Sequence, residues 1–101
     1  MNAKNELTLR RWQRKKTKKD YKKFLCQCEP GELKFLCECA FNIINGNVPF
    51  DVDKLLPFEK QLKVLCDSSI SHTKRRKTLC SIKGIKLLQQ ISRPIEKYLS
   101  Q

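Results

Sequence analysis

Histidine occurs once in this chain and glycine three times, and no apolar run approaches the roughly 18 residues of a membrane span. Each shortage removes a class of function. His72 alone cannot supply an H-E-x-x-H or H-x-E metal motif, and Gly31, Gly46 and Gly84 are too scattered for a G-x-G-x-x-G turn, a P-loop or a nucleophile elbow. His72 stands beside Thr73 and a basic run, so it reads as an exposed residue at a helix start rather than a general base. Asp51 and Asp53 read as helix-capping residues. The chain is therefore expected to be non-enzymatic and to need no cofactor.

Acidic residues are also scarce: ten, against 22 Lys and Arg, for a net charge of +12. The surplus is unevenly placed. Residues 1–23 carry ten Lys/Arg against two acids, residues 24–73 carry four against seven, and residues 74–101 carry eight against one. A mildly acidic, cysteine- and phenylalanine-rich middle thus lies between two cationic ends, a distribution that suits a folded centre presenting positive charge to a polyanion. The opening MNAKNELTLRRWQRKK has no apolar h-region, so no secretory signal is expected there. The six cysteines are accordingly expected in a reducing compartment, as free thiols or metal ligands.

At 101 residues one modest core is what the chain can bury. Apolar residues recur at helical spacing and nowhere alternate with period two, so the expected fold is all-α: a small bundle of four to five short helices with a basic N-terminal arm. Residues 1–20 form the expected arm, disordered or helical, and residues 21–101 the helical domain. In the first segment, Asn5 to Cys28, only Tyr21, Phe24, Leu25 and Cys28 follow i, i+3, i+4, i+7, so only its end should dock. The second, Gly31 to Asn45, is apolar around most of its circumference and should stop at Asn45-Gly46. The third, Asp53 to Cys66, takes Asp53 as N-cap and holds Pro57 in its first turn. The fourth starts from a Ser71 cap and runs to Gly84, with Leu79 and Ile82 inward. The fifth, Ile85 to Leu99, carries the stripe Ile85, Leu88, Ile91, Ile95 and Leu99, interrupted at Pro94.

Two Cys-x-Cys words, Cys26/Cys28 and Cys37/Cys39, stand eleven residues apart. On a helix, i and i+2 point some 160° apart, so one such word cannot chelate a single ion. Buried apolar cysteines are the leading reading. A zinc-binding regulatory module using Cys26, Cys28, Cys37 and Cys39 after a hairpin at Pro30-Gly31 is an alternative, and disulfides are another.

The basic runs carry the functional signal. Arg10, Arg11, Arg14, Lys15, Lys16, Lys18, Lys19, Lys22 and Lys23 crowd into fourteen residues, interleaved with Trp12 and Tyr21. So dense a distribution suits sequence-independent phosphate neutralisation better than base reading. A second run, Lys74, Arg75, Arg76 and Lys77, sits at the start of a helix, where cations are disfavoured unless an anion is present. It also matches a simple nuclear-import word. Together these residues, with Trp12 for stacking, predict a nucleic-acid-binding protein, with double-stranded DNA the favoured partner and RNA left open, since stacking aromatics near cations suit either. An adaptor for an acidic protein surface is the alternative. The amphipathic last segment, with Lys83, Lys86, Arg93 and Lys97, would fit an acidic membrane surface if it did not pack on the core. Its Leu/Ile stripe would serve a homodimer if it stayed exposed.

The stretch ECAFNIINGNVPF at residues 38–50, followed by KRRK and a Lys-Gly, resembles short basic open reading frames of invertebrate Polinton- or adintovirus-like mobile elements. Glu38, Cys39, Ala40, Asn42, Gly46, Asn47, Val48 and Pro49 match, as do Lys74–Lys77 and Lys83-Gly84. Ile85 stands where that group has a second glycine, and the cysteine-rich N-terminal part has no counterpart. The resemblance implies a genome-associated core protein of a virus-like element, located in the nucleus or the virion.

Overall fold

Thr17 divides the first basic segment into two helices. Its side chain accepts the N–H of Asp20 at 3.1 Å, a local N-cap that starts a new helix where the lysine-rich sequence reads as continuous. The computed structural model describes residues 2–99. Residues 1, 100 and 101, which close the two expected units, lie outside the described residues. The order is α1 (Ala3–Gln13), α2 (Lys18–Gln27), α3 (Pro30–Ile44), a 3₁₀ segment (Val52–Phe58), α4 (Glu59–Leu65), α5 (His72–Cys80) and α6 (Ile82–Leu99). The chain is all-helical among the described residues, with six α-helices instead of four to five. Thr17 supplies the extra one.

The central helix forms as its composition demands. Pro30 occupies the first turn, the Glu32 carboxylate reaches back to the Glu29 N–H at 3.0 Å, and Gly46 at φ +75° follows the Asn45 C-cap. Leu33, Leu36, Ala40 and Ile43 are fully buried. The third segment differs from expectation at its start. Asp51, not Asp53, is the N-cap, accepting the Asp53 N–H at 3.1 Å, and the chain winds as a 3₁₀ turn past Pro57 before α4 begins. Pro57 has no N–H to give, so a tighter turn costs little there.

Ser71 caps α5 as the sequence suggests, accepting the Lys74 N–H at 3.2 Å. The helix stops at Cys80 rather than continuing to Gly84. Ser81 closes α5 through its own N–H and hydroxyl on the Thr78 carbonyl, and its oxygen accepts the Gly84 N–H at 3.0 Å to open α6. Ile82, expected inward, is consequently turned out to solvent. Helix α6 then runs through Pro94 to Leu99, with Ile85, Leu88, Ile91 and Ile95 packed into the core. That stripe is therefore covered within the chain and is not the homodimer surface its exposure would have made. None of the helices among the described residues is long and apolar enough to cross a membrane.

The expected solvated arm needs the clearest correction. Leu9 and Trp12, one turn apart on α1, are buried, Trp12 completely, and α1 packs on both α3 and α6. Leu7, Leu9 and Trp12 look too few to dock a helix, yet Trp12 alone can bury roughly 200 Å². The radius of gyration, 12.3 Å, is close to the roughly 13 Å of a folded hundred-residue chain and leaves no room for an extended arm.

Candidate nucleic-acid interface

Helix α6 and the turn between α1 and α2 face each other, joined by Gln89 Nε2 donating to the Lys16 carbonyl at 3.1 Å. Between them opens a cleft of about 760 Å³ lined by Lys15 and Lys16 from the turn and by Lys86 and Arg93 from α6. Tyr21 and Phe58, each mostly buried, form apolar parts of the wall, and Glu96 is the one acid on the lining among the described residues. Gln13 lies there too, its Nε2 buried with no acceptor among the described residues. The amide and four cations make a site equipped with donors, the inventory that phosphate oxygens require.

Lys15 and Lys86 are 71 residues apart in sequence, and no local spacing announces their meeting. Sequence reasoning singled out Lys15 and Lys16, but weighed Lys86 and Arg93 only for the acidic membrane surface that the last segment would suit if it did not pack on the core. The signal that could have found them is the angular position on α6. Lys86, Gln89, Gln90 and Arg93 follow i, i+3, i+4, i+7 along one polar edge of that helix.

The remaining basic residues of the expected contact set divide into three groups. Arg14, Lys18, Lys19, Lys22 and Lys23 are exposed, as are Lys74 and Lys77 on α5. The four lysines of α2 fall into two i, i+4 like-charge pairs, which repel until an anion neutralises them. They share that helix with Tyr21 of the cleft wall. Arg10 is exposed and ion-paired with Glu6 at 2.9 Å within α1.

The third group belongs to the fold. Arg11 Nη1 donates to Glu32 Oε2 at 2.6 Å and its guanidinium lies 5.3 Å from the Phe24 ring centroid, so this cation is held inward. Trp12 is fully buried and offers no face for base stacking. In the KRRK run, Arg75 is buried, and Arg76 Nη1 donates to the carbonyls of Leu25 at 2.6 Å and Cys26 at 3.1 Å. It thereby adds a charged donor at the C-terminal end of α2, where the Leu25 carbonyl also accepts the Cys28 N–H at 3.3 Å. Trp12 and Arg75 are thus buried, and the half-buried Arg11 and Arg76 are held in hydrogen bonds inside the molecule, which sets these four apart from the exposed cations of the expected contact set. Lys74 and Lys77 do not line the cleft.

Glu32 anchors the α1 side. Burial alone would raise its carboxyl pKa. The Glu29 N–H, the Thr8 hydroxyl at 2.9 Å, and the charges of Arg11 and Lys4 outweigh burial and hold it below the usual value.

The four thiols of the two Cys-x-Cys words do not form one cluster. Cys26 is exposed on α2, whereas Cys28, Cys37 and Cys39 are buried. Burial is the main cause that pushes the Cys28 and Cys39 thiols up to about 12 and Cys37 to about 11. Among the described residues no group of three or more His, Cys, Asp or Glu is placed to share an ion.

Comparison with known proteins adds no relative. No family model matches the chain, and neither the curated proteins nor the solved structures contain a match.

Proposed function

We propose that the chain binds nucleic acid without enzymatic action and largely without regard to sequence, double-stranded DNA being the preferred partner. The observation that carries this reading is the convergence of Lys15, Lys16, Lys86 and Arg93 on one cleft with a single acid on its lining among the described residues. The exposed lysines of α2 extend the positive surface, and Arg14, Lys74 and Lys77 add to the field. Phosphates are the favoured ligand because the donors are long, charged and mobile, with few fixed polar groups to read base edges. The resemblance to short frames of mobile elements agrees with genome packaging in a nucleus or virion.

Fluorescence anisotropy with duplex and single-stranded DNA and RNA across a salt series tests this directly. With 6–10 phosphates neutralised, affinity for duplex DNA should fall by roughly 10³–10⁵ between 50 and 200 mM salt. Replacing Lys15, Lys16, Lys86 and Arg93 together by Gln should reduce the salt slope by about 3–4 and weaken all sequences equally. A flat salt response, or no binding at low salt, would remove the proposal. Capture of an acidic protein that survives nuclease treatment would favour the adaptor reading instead.

A further inference from the structure

The C-terminal ends of α2 and α5 lie side by side. Arg76 donates to the Cys26 carbonyl at 3.1 Å, and Cys80, one turn further along α5, is the last residue of that helix. Cys26 stands in the last turn of α2, and its thiol is the side-chain hydrogen-bond neighbour of the Cys80 thiol. Cys26 is exposed and Cys80 half-buried. Two thiols far apart in sequence are thus held together by the packing of two helices, with one of them open to solvent.

We propose that Cys26 and Cys80 are a disulfide-forming site, at which an oxidant of low molecular weight staples the end of α2 to the end of α5. Accessibility selects this pair. Cys28 also neighbours Cys80 but is buried, so a small disulfide does not reach it. Cys37 and Cys66 neighbour each other as well, yet Cys37 is buried and Cys66 only half-exposed. Charge assists the same pair. Burial, and after it the neighbouring Cys26, raise the Cys80 pKa, whereas Arg76 and Lys22, each four residues before one of the two cysteines, oppose the rise.

The chemistry is thiol–disulfide exchange with a small disulfide such as oxidised glutathione. The Cys26 thiolate attacks one sulfur of that molecule, forming a mixed disulfide on Cys26 and expelling one glutathione thiolate. The Cys80 thiolate then attacks Cys26 Sγ, forming the internal bond and expelling the second glutathione thiolate. The two protein thiols give up two protons and two electrons, and the oxidant takes up both electrons and leaves as two thiols. The link closes a long loop of the unfolded chain, which is where a disulfide stabilises most. Neither cysteine lines the basic cleft, so the phosphate-binding cations keep their places when the staple forms.

Incubation of the fully reduced, full-length chain with oxidised glutathione, at low protein concentration and without nucleic acid, tests the staple separately from the binding function. Peptide mapping without reductant should find Cys26 joined to Cys80, with the intact mass lowered by two hydrogen atoms. The melting temperature should rise by at least about 5 °C and fall back on addition of dithiothreitol. Cys80→Ser should halt at the glutathione adduct of Cys26 with no such rise, and Cys26→Ser should form no link at Cys80. Reduced melting curves of both variants show that the fold is kept, and the mapping of the parent chain does not depend on them. A parent that stays reduced, halts at the Cys26 adduct, links Cys37 to Cys66, or joins two molecules instead would overturn the proposal. So would a Cys26–Cys80 link that leaves the melting temperature unchanged.

Discussion

Arg76 Nη1 lies 2.6 Å from the Leu25 carbonyl oxygen, fifty-one residues earlier in the chain. A side chain that belongs by sequence to a cationic surface word is thus the C-terminal clamp of another helix. Replacing Arg76 by Ala should cost about 1–3 kcal/mol, since a charged donor to the Leu25 and Cys26 carbonyls disappears together with part of the α2–α5 contact. Lys74→Gln and Lys77→Gln, on exposed positions of the same helix, should change stability by less than about 0.5 kcal/mol. Chemical denaturation of the three variants checks the contrast.

The Glu32 carboxylate should make the fold sensitive to acid. Its pKa is lowered in the folded chain, so its contribution is fully present above the unfolded carboxylate value of about 4.3 and is lost as pH falls through the lower folded value. Glu32→Gln should lower stability at pH 7 by about 2 kcal/mol and flatten the stability profile below about pH 4.5. Denaturant midpoints between pH 2.5 and 7 provide the measurement. An unchanged acid limb would mean that other carboxylates govern it.

A methyl group at Gly84 would meet backbone, not flexible side chain: its Cβ would fall 2.7 Å from the Leu79 carbonyl oxygen and 2.8 Å from the Leu79 Cα. It would also collide with the Thr78 carbonyl oxygen. Neither α5 nor the start of α6 can yield without disturbing Ser81. Gly84→Ala should therefore destabilise by about 3 kcal/mol, although alanine is the better helix former. Gly31→Ala, at a position with open space, serves as the control. Thermal melts of the two should differ widely.

The cysteines should separate by burial under alkylation. At pH 7.5 iodoacetamide should label exposed Cys26 first and leave Cys28, Cys37 and Cys39 unmodified until the chain unfolds. Peptide mass mapping with and without denaturant resolves the sites. Fast labelling of Cys39 in the native state would contradict the packing described here.

Much of the fold was legible locally. The Asn45-Gly46 stop, the Ser71 cap and the apolar circumference of α3 each follow from a few adjacent residues, and the structure places them as their chemistry requires. What was hidden is tertiary. Thr17 caps α2 within a run whose lysine density masks the cap, and Asp51 takes the role that Asp53 appears to own because Pro57 tightens the following turn. Composition made Trp12 a surface aromatic among cations; its burial depends on α3 and α6 arriving from later in the chain. The same holds for the cleft, where half the cations come from a helix that reads by itself as an amphipathic surface helix.

Trp12 is the sole tryptophan, fully enclosed and contributed by the most N-terminal helix. Nature has thereby fitted this molecule with an intrinsic optical reporter at the junction its sequence made look loosest. Detachment of the first helix alone would shift indole emission to the red before far-ultraviolet circular dichroism registers much loss, so fraying and global melting can be told apart without attaching a dye.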